Sequence, residues 1–157
     1  MELRFAAPDD IEELIRLRLD FFAEEPDLTP DEVQAAAIAS ELRGYFRRQL
    51  NRDFYAALAV SGGRAAAVSF LVVHRKPANV RFPTGKTGEI LNVYTRPPYR
   101  EKGLATAALK LLIEKAKEEG LSFIALSATA AGKPVYERLG FTENSPQDYT
   151  EMTLRLS

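Results

Sequence analysis

The stretch Arg100-Glu101-Lys102-Gly103-Leu104-Ala105 constrains this chain more than any other, because an apolar strand-like run ending in Pro97-Pro98 precedes it and a long apolar-periodic helix follows. The first amides of a helix lack intrahelical partners, and the aligned peptide dipoles place roughly half a positive charge beside them. Such a turn suits an anion, a phosphate above all. Gly103 lets the ligand approach the main chain without a Cβ in the way, Ala105 keeps the first turn slim, and Arg100 and Lys102 add formal charge.

The rest of the pattern builds a mixed α/β sheet around that turn. Glu2–Ala6 reads as a first strand, and Pro8-Asp9-Asp10 opens a helix with Ile11, Leu14, Ile15, Leu19, Phe21 and Phe22 on its apolar face, ended by Pro26. Thr29 as N-cap, Pro30 at the first helical position and Glu32 three residues on predict a second helix over about 30–50. Phe54–Ser61 and Arg64–Lys76 are strands joined by the hairpin turn Gly62-Gly63. Glu89–Thr95 is the next strand, Leu104–Glu119 a helix stopped by Gly120, and Leu121–Ala128 a strand. A short helix over Lys133–Leu139 leads to Phe141–Glu143 and a last strand, Thr150–Leu156. Strand, turn, helix and strand over 89–128 form a βαβ unit, so those two strands lie parallel with a right-handed crossover while the earlier ones pair as hairpins.

Length and composition, 157 residues with 46% apolar and 27% charged, fit one ordinary globular domain over 1–157. No apolar run approaches the ~20 residues that cross a bilayer, and Met1-Glu2-Leu3-Arg4 lacks a signal-peptide layout, so no membrane partner and a cytoplasmic location are expected. With no cysteine and one histidine, disulfides, a cysteine nucleophile and a zinc cluster are not expected, and no metal is called for. Residues 1–74 hold eight Lys/Arg against thirteen Asp/Glu, whereas 75–102 hold seven against two. That positive segment suits a phosphate-rich ligand, though Arg75, Lys76, Arg81, Lys86 and Arg96 read equally well as solvated strand ends. A slightly acidic chain without an aromatic-basic motif argues against nucleic acid. Gly85-Lys86-Thr87 fails as a P-loop, since Val80 stands where the first glycine is required and a strand follows in place of a helix.

The pattern R/Q-x-x-G-x-G/A after a strand, here Arg100 to Ala105, resembles the acetyl-CoA loop of the GNAT superfamily of N-acyltransferases. A second stretch, Gly132-Lys-Pro-Val-Tyr136-Glu-Arg-Leu-Gly140-Phe141, is similar to the family's helix and turn carrying a tyrosine ahead of Gly-Phe. The resemblance implies a mixed, mostly antiparallel sheet with helices on both faces and a splayed parallel pair, 89–95 and 121–128, where the cofactor's pantetheine arm enters. It implies acetyl-CoA, or CoA, as co-substrate, held by Arg100, Glu101, Lys102, Gly103, Leu104, Ala105 and Thr106 and by main-chain groups of Val93, Tyr94 and Thr95. Tyr136 matches the phenol that protonates the departing CoA sulfur, the other reading being a tyrosine packed on the core with its hydroxyl in water. Thr129 and Gly132 stand where many members carry Asn and Ala, and belong to the same cofactor-binding segment.

Acyl transfer from a thioester to an amine needs a polarised carbonyl, an uncharged amine and a stabilised thiolate. Glu89, eleven residues before Arg100, stands where several family members carry a carboxylate base; a solvent-facing strand-end acid is the competing reading. Asn92, Tyr94 and His74 are candidates for orienting a water or shuttling a proton, although His74, followed by Arg75-Lys76, also reads as a surface residue. Glu24, Glu25 and Asp27 border the acceptor region of related folds, where acids favour a cationic amine. The expected activity is direct N-acetylation of a small-molecule or peptide amine without a covalent enzyme intermediate. The alternative is a non-catalytic acyl-CoA-binding or regulatory module, and the resemblance makes a homodimer plausible.

Overall fold

The computed structural model describes residues 1–146 and 148–157. Five strands form one sheet in the order β1 (Glu2–Phe5), β2 (Phe54–Ser61), β3 (Arg64–Arg75), β4 (Lys86–Thr95) and β5 (Ile124–Ala125). The first three pairings are antiparallel and the last, β4 with β5, is parallel through Gly88↔Ile124 and Glu89↔Ala125. A mixed α/β fold with a parallel pair at one edge is therefore present, as the pattern predicts.

Strand alternation sends successive side chains to opposite faces, and each face has its own cover. Leu58, Val68 and Phe70 point to the face packed by α1 (Ile11–Ala23) and α2 (Glu32–Gln49), where Leu14, Leu17, Phe46 and Phe54 are almost fully buried. Phe46, Phe54 and Phe70 form a ring cluster with centroids 5.0 to 5.9 Å apart. The other face, lined by small residues such as Ala57, Ala59 and Ala67, takes α3 (Leu104–Glu118) through Ala108, Leu109, Leu112 and Ala116.

The second helix starts later than the capping pattern predicts. Asp31, not Thr29, is its N-cap: the Asp31 carboxylate accepts from the Gln34 amide at 2.8 Å and the Gln34 side chain accepts from the Asp31 amide at 3.0 Å. A carboxylate is favoured over a hydroxyl at a helix's positive end. Thr29 instead donates to the carbonyls of Phe22 and Glu25, tying down the end of α1.

Contacts divide the chain into two compact units, Met1–Ser127 and Ala128–Ser157. The second holds the short helix α4 (Lys133–Arg138). The strand expected over 121–128 is reduced to Ile124–Ala125, and Phe141–Glu143 and Thr150–Leu156 form no strand. In Thr150–Leu156 the alternation of Met152, Leu154 and Leu156 encodes a strand with one buried face. Alternation alone does not supply the neighbouring strand that would satisfy its backbone, and these side chains are 82–89% exposed.

Candidate active site

The end of β4 and the start of α3 create the first half of the site. After β4, the Arg96 amide donates to the Ala66 carbonyl, Pro97–Tyr99 make a single 3-10 turn, and Glu101 and Gly103 take positive φ of 65° and 72°. Gly103 stands at the N-cap of α3 and no side chain caps the helix, so its leading amides keep no side-chain partner. A Cβ built on Gly103 would meet nothing within 4 Å, which leaves the approach to those amides open. An uncapped helix start behind an open glycine fits a diphosphate.

Arg100 is less available than its place in the motif suggests. Its Nη2 lies 2.7 and 2.8 Å from the two carboxylate oxygens of Glu24, and its Nε donates to the Thr95 carbonyl at 2.9 Å. The guanidinium also sits 5.8 Å from the Tyr94 ring centre. The Arg100 bond holds the Glu24 carboxyl below the usual range; burial and then Glu24 push the Tyr94 phenol up. Of the acids expected to favour a cationic acceptor, Glu24 is thus engaged by a cation of the protein itself. Lys102 lies 6.0 Å over the Tyr99 ring.

The second half is the edge of β4. Pairing with β5 stops at Glu89↔Ala125, so from Ile90 to Thr95 this edge has no partner strand among the described residues, the geometry expected of a splay. Register against β3 slips between Val68↔Tyr94 and Phe70↔Leu91, so that Asn92 and Val93 together face Ser69. Asn92 takes a positive φ of 55°, a conformation asparagine tolerates better than most residues. Its Oδ1 accepts from Arg18 at 3.2 Å, while its buried Nδ2 and the neighbouring Ser69 Oγ have no partner among the described residues. Sequence reasoning did not find Arg18 or Ser69; the signal was an Asn placed inside a strand, which favours a bulge over regular pairing.

Glu89 and His74 come together on adjacent strands, with Nε2 of His74 3.0 Å from Oε1 of Glu89 and both side chains 45% exposed. The histidine is therefore both a surface residue and a partner of the candidate base.

Thr129, Gly132 and Tyr136 lie in the second unit. The Thr129 hydroxyl accepts from the Gly132 amide at 3.1 Å, turning the chain into α4. A Cβ at Gly132 would come within 3.2 Å of the Tyr136 ring and 3.3 Å of the Thr129 hydroxyl, so glycine gives that ring its place. Tyr136 is half-buried, packs edge-on to Phe141 with centroids 6.1 Å apart, and has its phenol pushed up by burial. Both readings of this tyrosine share that packing.

Among the described residues no group of three or more His, Asp or Glu could hold a metal ion, and no helix is long and apolar enough to cross a membrane.

The family model of the acetyltransferase (GNAT) family matches residues 11–141, and this chain belongs to that family. Its members are acetyltransferases that draw the acetyl group from acetyl-CoA, and the open turn before α3 fits that donor. Among solved structures, the chain is similar to a predicted acetyltransferase from Clostridium acetobutylicum crystallised with acetyl-CoA, at 29% identity and a TM-score of 0.82 over 97% of this chain and 95% of that one. It is also similar to a GCN5-related N-acetyltransferase from Ralstonia eutropha JMP134, at 29% identity and a TM-score of 0.77 over 98% and 97% of the two chains. An acetyltransferase of Trypanosoma brucei matches at 26% identity and a TM-score of 0.63 over 96% and 99%. No curated protein matches the sequence.

Proposed function

We propose that the chain is an N-acetyltransferase that passes the acetyl group of acetyl-CoA directly to a primary amine of a small molecule or peptide, with both units belonging to one catalytic domain. The observation that carries this reading is the unpartnered β4 edge running straight into an uncapped helix start. Main-chain groups of Val93, Tyr94 and Thr95 bind the pantetheine arm and polarise the thioester carbonyl. The turn Arg100–Thr106 grips the diphosphate through its amides, with the Lys102 charge close by. Thr129 and Gly132 shape the segment that positions Tyr136.

Glu89 accepts the amine's proton, directly or through one water, so that the neutral nitrogen attacks. The His74 imidazole, 3.0 Å from the Glu89 carboxylate, takes the proton onward. As the C–N bond forms and the C–S bond breaks, the nitrogen gives up its second proton to water and Tyr136 protonates the sulfur, the phenolate then regaining a proton from solvent. Its buried phenol keeps its proton across the neutral range, as a donor must. No side chain is acylated on this route. Orientation of the two reactants and the fixed backbone donor supply much of the rate. A homodimer and a cytoplasmic location complete the reading.

A panel of primary amines, assayed with acetyl-CoA for released thiol and acetylated product, tests it. One thiol per acetylated amine is expected. CoA binding without acetylation of any amine would favour a non-catalytic acyl-CoA module.

A further inference from the structure

A cleft of about 390 Å³ opens between the first turns of α1 and the Gly62-Gly63 hairpin, well apart in composition from the acetyl-donor site: none of residues 93–95 or 100–106 lines it. Its walls carry Arg4, Arg16, Arg64 and Arg96 against only Asp10 and Glu13. Leu58, Val60 and Ala65 give it an apolar side.

The two carboxylates are already saturated. Asp10 accepts from Arg4 at 2.7 and 3.0 Å and from the Ala7 amide at 2.8 Å. Glu13 is shared between Arg96 at 2.6 Å and Arg16 at 3.0 Å. Glu2 adds a looser, largely exposed contact to Arg4 at 3.5 Å. Two positive charges remain in surplus on the walls. One arises because a single glutamate serves two guanidiniums; the other is Arg64, which makes no ion pair among the described residues. The Arg96 side chain is only 12% exposed, and its buried Nε has no acceptor among the described residues. Uncompensated guanidiniums gathered on one cleft wall attract an added oxyanion, and their planar forks suit carboxylate and phosphate geometry.

We propose that this cleft binds a small organic oxyanion, a carboxylate or phosphate on a compact apolar body, independently of acetyl-CoA. Arg64 and Arg96 hold the charged end, and Leu58, Val60 and Ala65 receive the apolar end.

The test is titration of the full chain, saturated with CoA, with phenyl phosphate, benzoate, inorganic phosphate and benzyl alcohol, following the arginine Nε–H signals by NMR. Saturable shifts at Arg96 with phenyl phosphate or benzoate are expected, and which of the two binds tighter distinguishes phosphate from carboxylate. Arg64 is exposed beside a hairpin turn, so Arg64→Gln keeps the fold, and it is expected to weaken binding at least tenfold; Arg64→Glu should abolish it. Shifts that fail to saturate, that sodium chloride reproduces, or that persist in both Arg64 variants overturn the proposal. Equal binding of inorganic phosphate and phenyl phosphate, or of benzyl alcohol and benzoate, overturns the ligand class, and competition by CoA overturns the independence of the site.

Discussion

Arg100, in the turn between β4 and α3, is chelated by Glu24, the residue just after α1, with 2.7 and 2.8 Å between one guanidinium nitrogen and the two carboxylate oxygens. The Glu24 carboxyl is held below its ordinary range by that bond, so the pair is intact at neutral pH and opens only in acid. A diphosphate arriving at the turn must share Arg100 with this carboxylate. Glu24→Gln is therefore expected to tighten CoA binding by about two- to fivefold at low salt, the scale of an exposed ion pair, and less at high salt. Calorimetric titration checks it; weaker binding in the variant would mean that Glu24 serves mainly to hold the turn in shape.

Gly103 combines a φ of 72° with open space where a side chain would stand. Valine there meets two obstacles, backbone strain of about 1–2 kcal/mol and a branched side chain at the mouth of the turn. Gly103→Val should lose CoA binding and some stability to urea. Asparagine accepts the left-handed conformation more readily, so Gly103→Asn should keep near-native stability while still weakening CoA by about tenfold or more. Parallel binding and denaturation curves separate the two effects.

The roles given to Glu89 and Tyr136 make separate predictions for the rate profile. Glu89→Gln should lower kcat/KM by roughly 10²–10⁴, the usual span for a general base. Because burial raises the Tyr136 phenol above its ordinary pKa of 10, the proton-donating form persists upward, and the alkaline fall in kcat should lie above about pH 10. In Tyr136→Phe kcat should drop and that limb should vanish. Profiles unchanged in both variants would remove these two assignments.

Tyr55 links β2 to the residue after α3, its hydroxyl donating to Glu119 at 3.0 Å, and burial followed by Glu119 pushes its phenol up to about 12. The folded state thus holds this proton more tightly than the unfolded chain, whose tyrosines titrate near 10. The resulting stabilisation is complete below about pH 10 and is lost as pH rises toward about 12. Urea midpoints of the wild type should fall across that window, and those of Tyr55→Phe should fall less.

Much of this architecture is legible in the residues themselves. The Pro97-Pro98 pair, the Gly62-Gly63 turn and apolar periodicity mark four strands and four helices to within a few residues, because local sterics and one-sided burial dictate them. The turn before α3 is legible for the same reason: Gly103 is needed where φ is positive. What escapes is whatever depends on a distant partner. The Arg100–Glu24 chelate joins residues 76 positions apart, and the Arg18–Asn92 bond joins residues 74 apart, with no local signal for either. The cap of α2 escapes through competition, since Asp31 outbids Thr29 one turn boundary later. The segment Thr150–Leu156 shows the converse, a clear strand alternation with no paired neighbour.

If main-chain amides at the start of α3 hold the diphosphate of the acetyl donor, their chemical shifts report it during a titration with CoA and then with pantetheine. CoA should move the amides of residues 101–106 more than any others in the chain, whereas pantetheine, lacking the diphosphate, should leave them in place. CoA bound at saturation with those six amides unmoved would contradict it.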